Sequence, residues 1–177
     1  GGEIDLAMLP GPIVQPGLRN ISLGFVEFAW MASPALKIPD RSLTPRDLDN
    51  WPILTLSKTS NLYAQLERWF EESGAVGRRT DTCNSLSVLA SWTISGLGIG
   101  YLPIEHFGRD IRAGRRRMVD VTPKLPDLEH VAALDRRHPQ PLAQSVAELA
   151  VTVSTFERRT QLPETQSGSA LAAVAAR

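Results

Sequence analysis

The chain has 177 residues, of which 42% are hydrophobic, and it carries 19 acidic and 19 basic residues, so its formal net charge is zero. This length and hydrophobic content suit one sizeable core or two small lobes, and they exclude a disordered chain. The balanced charge argues against binding of duplex DNA by this chain alone, because no overall positive field attracts the phosphate backbone.

The first part of the chain is predicted to contain two strands. Residues 4–9 form a compact apolar run that ends in the Pro-Gly-Pro sequence of residues 10–12. This pattern indicates a buried strand followed by a loop, and the loop is a candidate ligand contact. Within residues 18–31, large apolar side chains alternate with small or charged ones at residues 26–30, as in a half-buried strand, until Pro34 breaks the pattern.

A short helix, a strand and a longer helix are predicted next. The sequence Thr-Pro-Arg-Asp at residues 44–47 supplies a cap, a proline for the first helical position and a carboxylate beside the helix start. Residues 52–56 form the following strand. The longer helix behind it has four apolar residues on one face, namely Leu62, Leu66, Trp69 and Phe70.

One stretch is predicted to form a helix that leads directly into a buried strand. Apolar residues recur at helical spacing within residues 86–97, and Asn84 or Ser85 can cap the start. Gly96 supplies the positive φ at which such a helix ends. The apolar run at residues 99–102 is typical of a buried strand.

The glycines of this stretch do not form a dinucleotide-binding fingerprint. That motif follows a strand and opens a helix, whereas here the helix precedes the strand. Gly98 and Gly100 are instead predicted to let the helix lie close against the strand that it feeds.

The remaining pattern predicts strands at residues 79–82, 118–121 and 130–134, and a final helix that Pro141 opens. Residues 160–177 are polar and then rich in alanine, so we expect a frayed or disordered tail. The final helix is expected to bury one apolar face, consisting of Val146, Leu149, Ala150, Val153 and Phe156.

Three segments together resemble the effector-binding domain of LysR-type transcriptional regulators. They are IDLAMLP at residues 4–10, LTPRDLDNWPIL at residues 43–54 and GLGIGYLP at residues 96–103. The similarity extends over about residues 2–156. It implies an α/β fold like that of type 2 periplasmic binding proteins, with two lobes joined by two crossover strands and an effector cleft between them.

The resemblance also implies a division of the chain. Residues 1–31 and 130–159 would form the first lobe, and residues 32–129 the second. Domains of this family ordinarily carry a strand, a helix and another strand before the segment that matches residues 4–10, so the first lobe is expected to be incomplete. The family further implies a homodimer or tetramer in the full-length protein, which would contact DNA only through a winged helix-turn-helix domain absent from this chain.

Candidate effector contacts follow from the positions of strand ends, since ligands of open α/β sheets bind outside the carboxyl ends of strands. These candidates are Pro10, Gly11, Ser57, Thr59, Ser60, Asn61, Cys83, Asn84 and Ser85. A helix cap needs only one side chain, so the surplus of hydroxyl and amide groups favours ligand contact at positively polarised helix starts. We therefore expect a small organic carboxylate rather than a sugar or a metal ion. Phe28, Trp30 and Tyr101 would either accommodate an apolar part of that effector or belong to the core.

No catalytic residue, cofactor or metal site is expected. His106, His130 and His138 lack the close spacing of a metal-binding pair, and no serine lies in a G-x-S-x-G elbow. Cys83 has no evident histidine partner and is interpreted as a small buried side chain. The arginines within residues 112–117 are interpreted as a solvated turn rather than a nucleic-acid contact.

The sequence also indicates a cellular location and leaves two alternative functions open. A single cysteine excludes an internal disulfide and favours the cytoplasm, the apolar runs are too short to span a membrane, and the first residues do not resemble a signal peptide. A solute-binding protein of a transporter remains an alternative, as does, less favoured, a cleft enzyme of the same fold. An upstream helix-turn-helix would favour the regulator, and an upstream signal peptide the solute-binding protein.

Overall fold

The computed structural model describes residues 4–75 and 79–158. The strands of these residues are β1 (Leu6–Pro10), β2 (Leu18–Val26), β3 (Phe28–Ala32), β4 (Ile53–Leu56), β5 (Thr80–Cys83), β6 (Ile99–Pro103), β7 (Arg117–Val119) and β8 (Leu128–Asp135). The α-helices are α1 (Asn61–Glu72), α2 (Leu86–Ile94), α3 (Ile104–Arg112) and α4 (Pro141–Val153), and short 3-10 helices cover Pro34–Leu36 and Asp47–Asn50. The expected tail, residues 160–177, lies outside the described residues.

The strands form two sheets, and the chain crosses between them twice. The small lobe contains the antiparallel sheet β1-β8-β2 with α4, and the large lobe contains the mixed sheet β5-β4-β6-β3-β7 with α1, α2 and α3. In the larger sheet, β4 runs parallel to β5 and β6, while β3 runs antiparallel to β6 and β7. This architecture confirms the predicted two-lobed α/β fold.

The first crossing lies earlier than the sequence pattern indicated. Residues 18–31 were expected to hold one strand of the first lobe, but they hold two strands of different sheets: β2 pairs with β8, and β3 pairs with β6 and β7. The alternation of apolar and polar side chains continues through Glu27, so the pattern alone gives no sign of the crossing. The residues of β3 therefore belong to the large lobe.

Helix α1 forms as predicted and buries its apolar face against the large sheet. Leu62, Leu66, Trp69 and Phe70 are all buried. The ring of Trp30, on β3, lies 5.8 Å from the ring of Trp69 and 6.0 Å from that of Phe70. Helix α2 packs on the opposite face, where Leu89 and Ala90 join Met31, Leu54 and Leu102 in a second core cluster.

The junction of α2 and β6 confirms the interpretation of its glycines. Gly96 has a φ of +75° and ends α2, and the N–H of Leu97 donates a hydrogen bond to the carbonyl oxygen of Trp92. A Cβ atom on Gly98 would overlap the carbonyl oxygen of Pro52, and a Cβ atom on Gly100 would lie 2.6 Å from Oγ1 of Thr93. These two positions therefore allow the close approach of helix and strands.

The predicted apolar face of the final helix is wrong for its largest residues. In α4 the buried residues are Ala143 and Ala147, whereas Leu149 and Val153 are 60% and 65% exposed and Val146 is 39% exposed. The helix approaches the small sheet through these small alanines, and the larger apolar residues lie on an adjacent stripe. Ala150 and Phe156, by contrast, do pack partly buried against that core.

The arginine-rich segment is also more than a solvated turn. Arg116 is 2% exposed, pairs with Asp110 at 2.9 Å, donates to the carbonyl oxygen of Ala90, and lies 4.5 Å from the ring centre of Phe107. This arrangement fixes β7 and α3 beside α2. The sequence pattern had not indicated α3.

None of the helices within the described ranges 4–75 and 79–158 has the length and apolar character needed to cross a bilayer.

The glycine packing gives a testable prediction. Gly98→Ala should lower the free energy of unfolding by about 1–3 kcal/mol, because the new methyl group would force β6 away from Pro52. Gly108 provides the control, since it lies inside α3 and a Cβ there would meet only the mobile end of Arg112 at 3.3 Å. Gly108→Ala should raise stability by up to about 1 kcal/mol. Urea unfolding measures both, and equal effects would contradict the close-packing explanation.

Candidate functional site between the lobes

Three strands of the large lobe end at one edge of the sheet. Leu56 pairs with Cys83 where β4 and β5 run parallel, so Ser57 and Asn84 follow at neighbouring positions. β6 also runs parallel to β4 and ends at Pro103 on the same edge. The predicted contacts on these strands therefore lie along one edge, as the strand-end rule requires.

A groove separates the small lobe from helix α1. Its cavity measures about 720 Å³ and is bounded by the loop after β1, by one side of α1, and by residues 126–129, which are the end of the second crossing segment and the start of β8. This volume lies within the range of small-molecule sites. Gly11 and Asn61, both predicted contacts, line it from opposite lobes.

Two hydrogen bonds join α1 to the residues on the other side of this groove. Nδ2 of Asn61 donates to the carbonyl oxygen of Pro10 at 2.6 Å, which links the two lobes directly. One turn later, Nε2 of Gln65 donates to the carbonyl oxygen of Pro126 in the crossing segment at 2.7 Å. Residues four apart share a helix face, so a single side of α1 contacts both the small lobe and the crossing.

Two of the predicted contacts have a structural role that explains them without a ligand. Oγ of Ser60 accepts a hydrogen bond from the N–H of Tyr63 at 3.1 Å, and Oγ of Ser85 accepts one from Val88 at 3.4 Å. These are ordinary N-caps of α1 and α2. The N-cap of α2 is therefore Ser85 and not Asn84.

The other predicted contacts differ in their exposure and in their neighbours. Oγ of Ser57 and Oγ1 of Thr59 lie 3.2 Å apart at the start of α1, and both Thr59 and Asn84 are exposed. Cys83 is half-buried rather than fully buried, and it packs against the core cluster beneath α2. Helices α1 and α2 lie on opposite faces of the sheet, so the groups at their starts share the sheet edge but not a face.

The charged residues that line the groove are one arginine and three carboxylates. Arg68 lies on α1 one turn beyond Gln65, is exposed, and makes no ion pair within the described residues. Glu72, Asp127 and Glu129 also line the groove. Gln65 and Arg68 were missed because sequence reasoning followed only the apolar face of α1; the polar spacing 61, 65 and 68 was the available signal.

Metal binding finds no support in the part of the chain that the structure describes. Within residues 4–75 and 79–158, no group of three or more histidine, cysteine, aspartate or glutamate side chains is placed to hold an ion.

Comparisons with known proteins identify a family and a fold. The sequence matches the family described as the LysR substrate binding domain over residues 1–154. No curated protein sequence matches it.

Solved structures resemble this chain at low sequence identity. The regulatory domain of HypT from Salmonella typhimurium, in its apo form, is 16% identical with a TM-score of 0.70, covering 86% of this chain and 74% of that one. The effector-binding domain of QuiR in complex with shikimate is 16% identical with a TM-score of 0.70, covering 88% and 75%. The regulatory domain of Synechocystis PCC6803 CcmR in complex with 2-PG is 14% identical with a TM-score of 0.72, covering 86% and 74%. At these identities the likeness shows the fold.

The capping assignments give a second prediction. Ser60→Ala and Ser85→Ala should each lower the free energy of unfolding by about 1 kcal/mol, because each leaves an N–H of the first helical turn without its partner. Asn84→Ala is the matched control at the same sheet edge and should change stability by less than about 0.5 kcal/mol. Denaturant unfolding compares the three variants. If Asn84→Ala costs as much as Ser85→Ala, the cap is misassigned.

Proposed function

Because the chain belongs to the family of LysR substrate-binding domains, we propose that the groove between its lobes is the site at which this sensor domain of a LysR-type regulator binds its effector. The observation that carries this proposal is that α1 lines the groove and hydrogen-bonds to the opposite lobe through Asn61. A molecule in the groove would contact both lobes. Its binding would favour the lobe spacing at which those contacts are best.

The effector is proposed to be a small organic carboxylate. The start of α1 supports this, because the N–H groups of a first helical turn carry partial positive charge and Asn61, in that turn, lines the groove. The hydroxyls of Ser57 and Thr59 precede this turn but do not line the groove. Arg68 adds a full positive charge to the groove wall. Three carboxylates also line the groove, so any preference for an anion depends on Arg68 and on the helix start.

The proposal gives the chain a binding role rather than a catalytic one. The effector signal would pass to a separate DNA-binding domain of the regulator, in a cytoplasmic protein that forms a homodimer or a tetramer. The zero net charge of the chain supports leaving DNA contact to that other domain.

The effector class is tested by calorimetric titration with matched acids and neutral analogues. Benzoate and shikimate should bind about tenfold more tightly than benzamide and methyl shikimate, because only the acids gain a charge-assisted contact. Arg68→Gln should remove most of that difference. Arg109→Gln, an exposed position on α3 outside the groove, should leave it intact.

A second variant tests the location. Ala64 is an exposed residue of the groove wall on α1, so Ala64→Trp should fill the groove and abolish binding of the acids. Ala113→Trp, at the exposed end of α3, is the control and should bind them normally. Acid binding that survives Ala64→Trp would contradict the groove as the site, whereas equal binding of the acids and their neutral analogues would contradict the effector class alone.

A further inference from the structure

A second cavity lies at the edge of the large sheet, apart from the interlobe groove. It measures about 530 Å³ and shares no lining residue with the groove. β7 pairs with β3 only at residues 30–32, so no strand of residues 4–75 and 79–158 lies beside the outer edge of β3 at Phe28 and Ala29. The cavity lies beside these two residues.

The cavity walls are mainly apolar and include three aromatic side chains. The rings of Phe28 and Tyr101 stack with centres 5.4 Å apart, and the ring of Trp30 lies 5.1 Å from that of Tyr101. Aliphatic residues of the segment after β7, including Val121 and Leu125, complete the walls. A cavity of this size and apolar character can hold a small molecule.

The charged residues of the cavity are predominantly acidic. Glu27, Asp120 and Lys124 line it, and all three are exposed with no hydrogen bond or ion pair from their side chains among the described residues. Burial, and then the charges of Asp127 and Glu27, raise the pKa of Tyr101, so its hydroxyl stays protonated beside these carboxylates. The local field therefore favours positive charge.

We propose that this cavity is a second ligand site, which takes a small and mostly apolar organic cation. The ammonium group would lie near Glu27 and Asp120, and the apolar body would lie against the aromatic wall formed by Phe28, Tyr101 and Trp30. Aromatic rings and carboxylates both stabilise an organic cation. The site is independent of the effector groove, and its ligand carries the opposite charge.

The test uses three probes that share a phenylethyl skeleton and differ in their head group. They are 2-phenylethylamine, which is a cation at pH 7, the neutral 3-phenylpropanamide and the anion 3-phenylpropionate. In calorimetric titration of the full chain, the cation should bind about tenfold more tightly than the anion. Equal affinities for the three probes, or no binding of the amine at millimolar concentration, would overturn the proposal.

Two variants with opposite expected effects on amine binding test whether the ammonium group lies in this cavity. Glu27→Gln should weaken binding of 2-phenylethylamine by about threefold or more, and Lys124→Met should strengthen it by a similar factor. General damage to the fold cannot produce opposite changes. Glu129→Gln, which removes the same charge from the interlobe groove, is the control and should have no effect.

The filled-groove variant separates this site from the effector site. Binding of 2-phenylethylamine should be unchanged in Ala64→Trp, because Ala64 lines only the interlobe groove. If that variant abolishes amine binding, the amine occupies the groove and the second site is wrong. Failure of the carboxylate effector at the groove would leave this result unaffected.

Discussion

The first turn of α1 is where the two lobes of this domain meet. The hydrogen bond from Asn61 to Pro10 joins the lobes directly, and the bond from Gln65 to Pro126 holds the same helix face to the second crossing. A single hydrogen bond contributes only about 1 kcal/mol net. A contact of this strength is small enough for the free energy of ligand binding to offset it.

The large lobe gives α1 a rigid support. Trp69 and Phe70 fix the helix to the sheet through Trp30, and β6 is buried along its whole length between the two core clusters. On the opposite face, the ion pair of buried Arg116 with half-buried Asp110 holds α3 and β7 in place. Because buried side chains pack the helix against this sheet, we expect a displacement at its start to move the large lobe with it.

The sequence predicts those elements whose buried side chains are large and regularly spaced. Leu62, Leu66, Trp69 and Phe70 define one helical face, and the run from Ile99 to Leu102 admits little except a buried strand. The crossing at Glu27 is hidden because the alternation of β2 continues into β3. The inner face of α4 is hidden because alanine contributes little to an apolar pattern, so the larger residues on the adjacent stripe dominate it.

The candidate site could be predicted only in part, for a related reason. Of the residues that the strand-end rule suggested, Gly11 and Asn61 line the groove, because the loop after β1 and the helix that follows β4 face each other across it. The contribution of Gln65 and Arg68 depends on which side of α1 meets the other lobe. That is a tertiary property, and it follows from the position of the crossing segment rather than from any local pattern.

The distance between spin labels on the two lobes tests most directly whether Asn61 sets their spacing. Labels on cysteines at the exposed positions Arg19 and Arg109, in a Cys83→Ser background, report that distance by pulsed electron paramagnetic resonance. Asn61→Ala should broaden and shift the distribution. Asn50→Ala, which removes a side-chain hydrogen bond to Asp47 within the large lobe, should leave it unchanged. An identical distribution in Asn61→Ala and the unsubstituted chain would contradict this account.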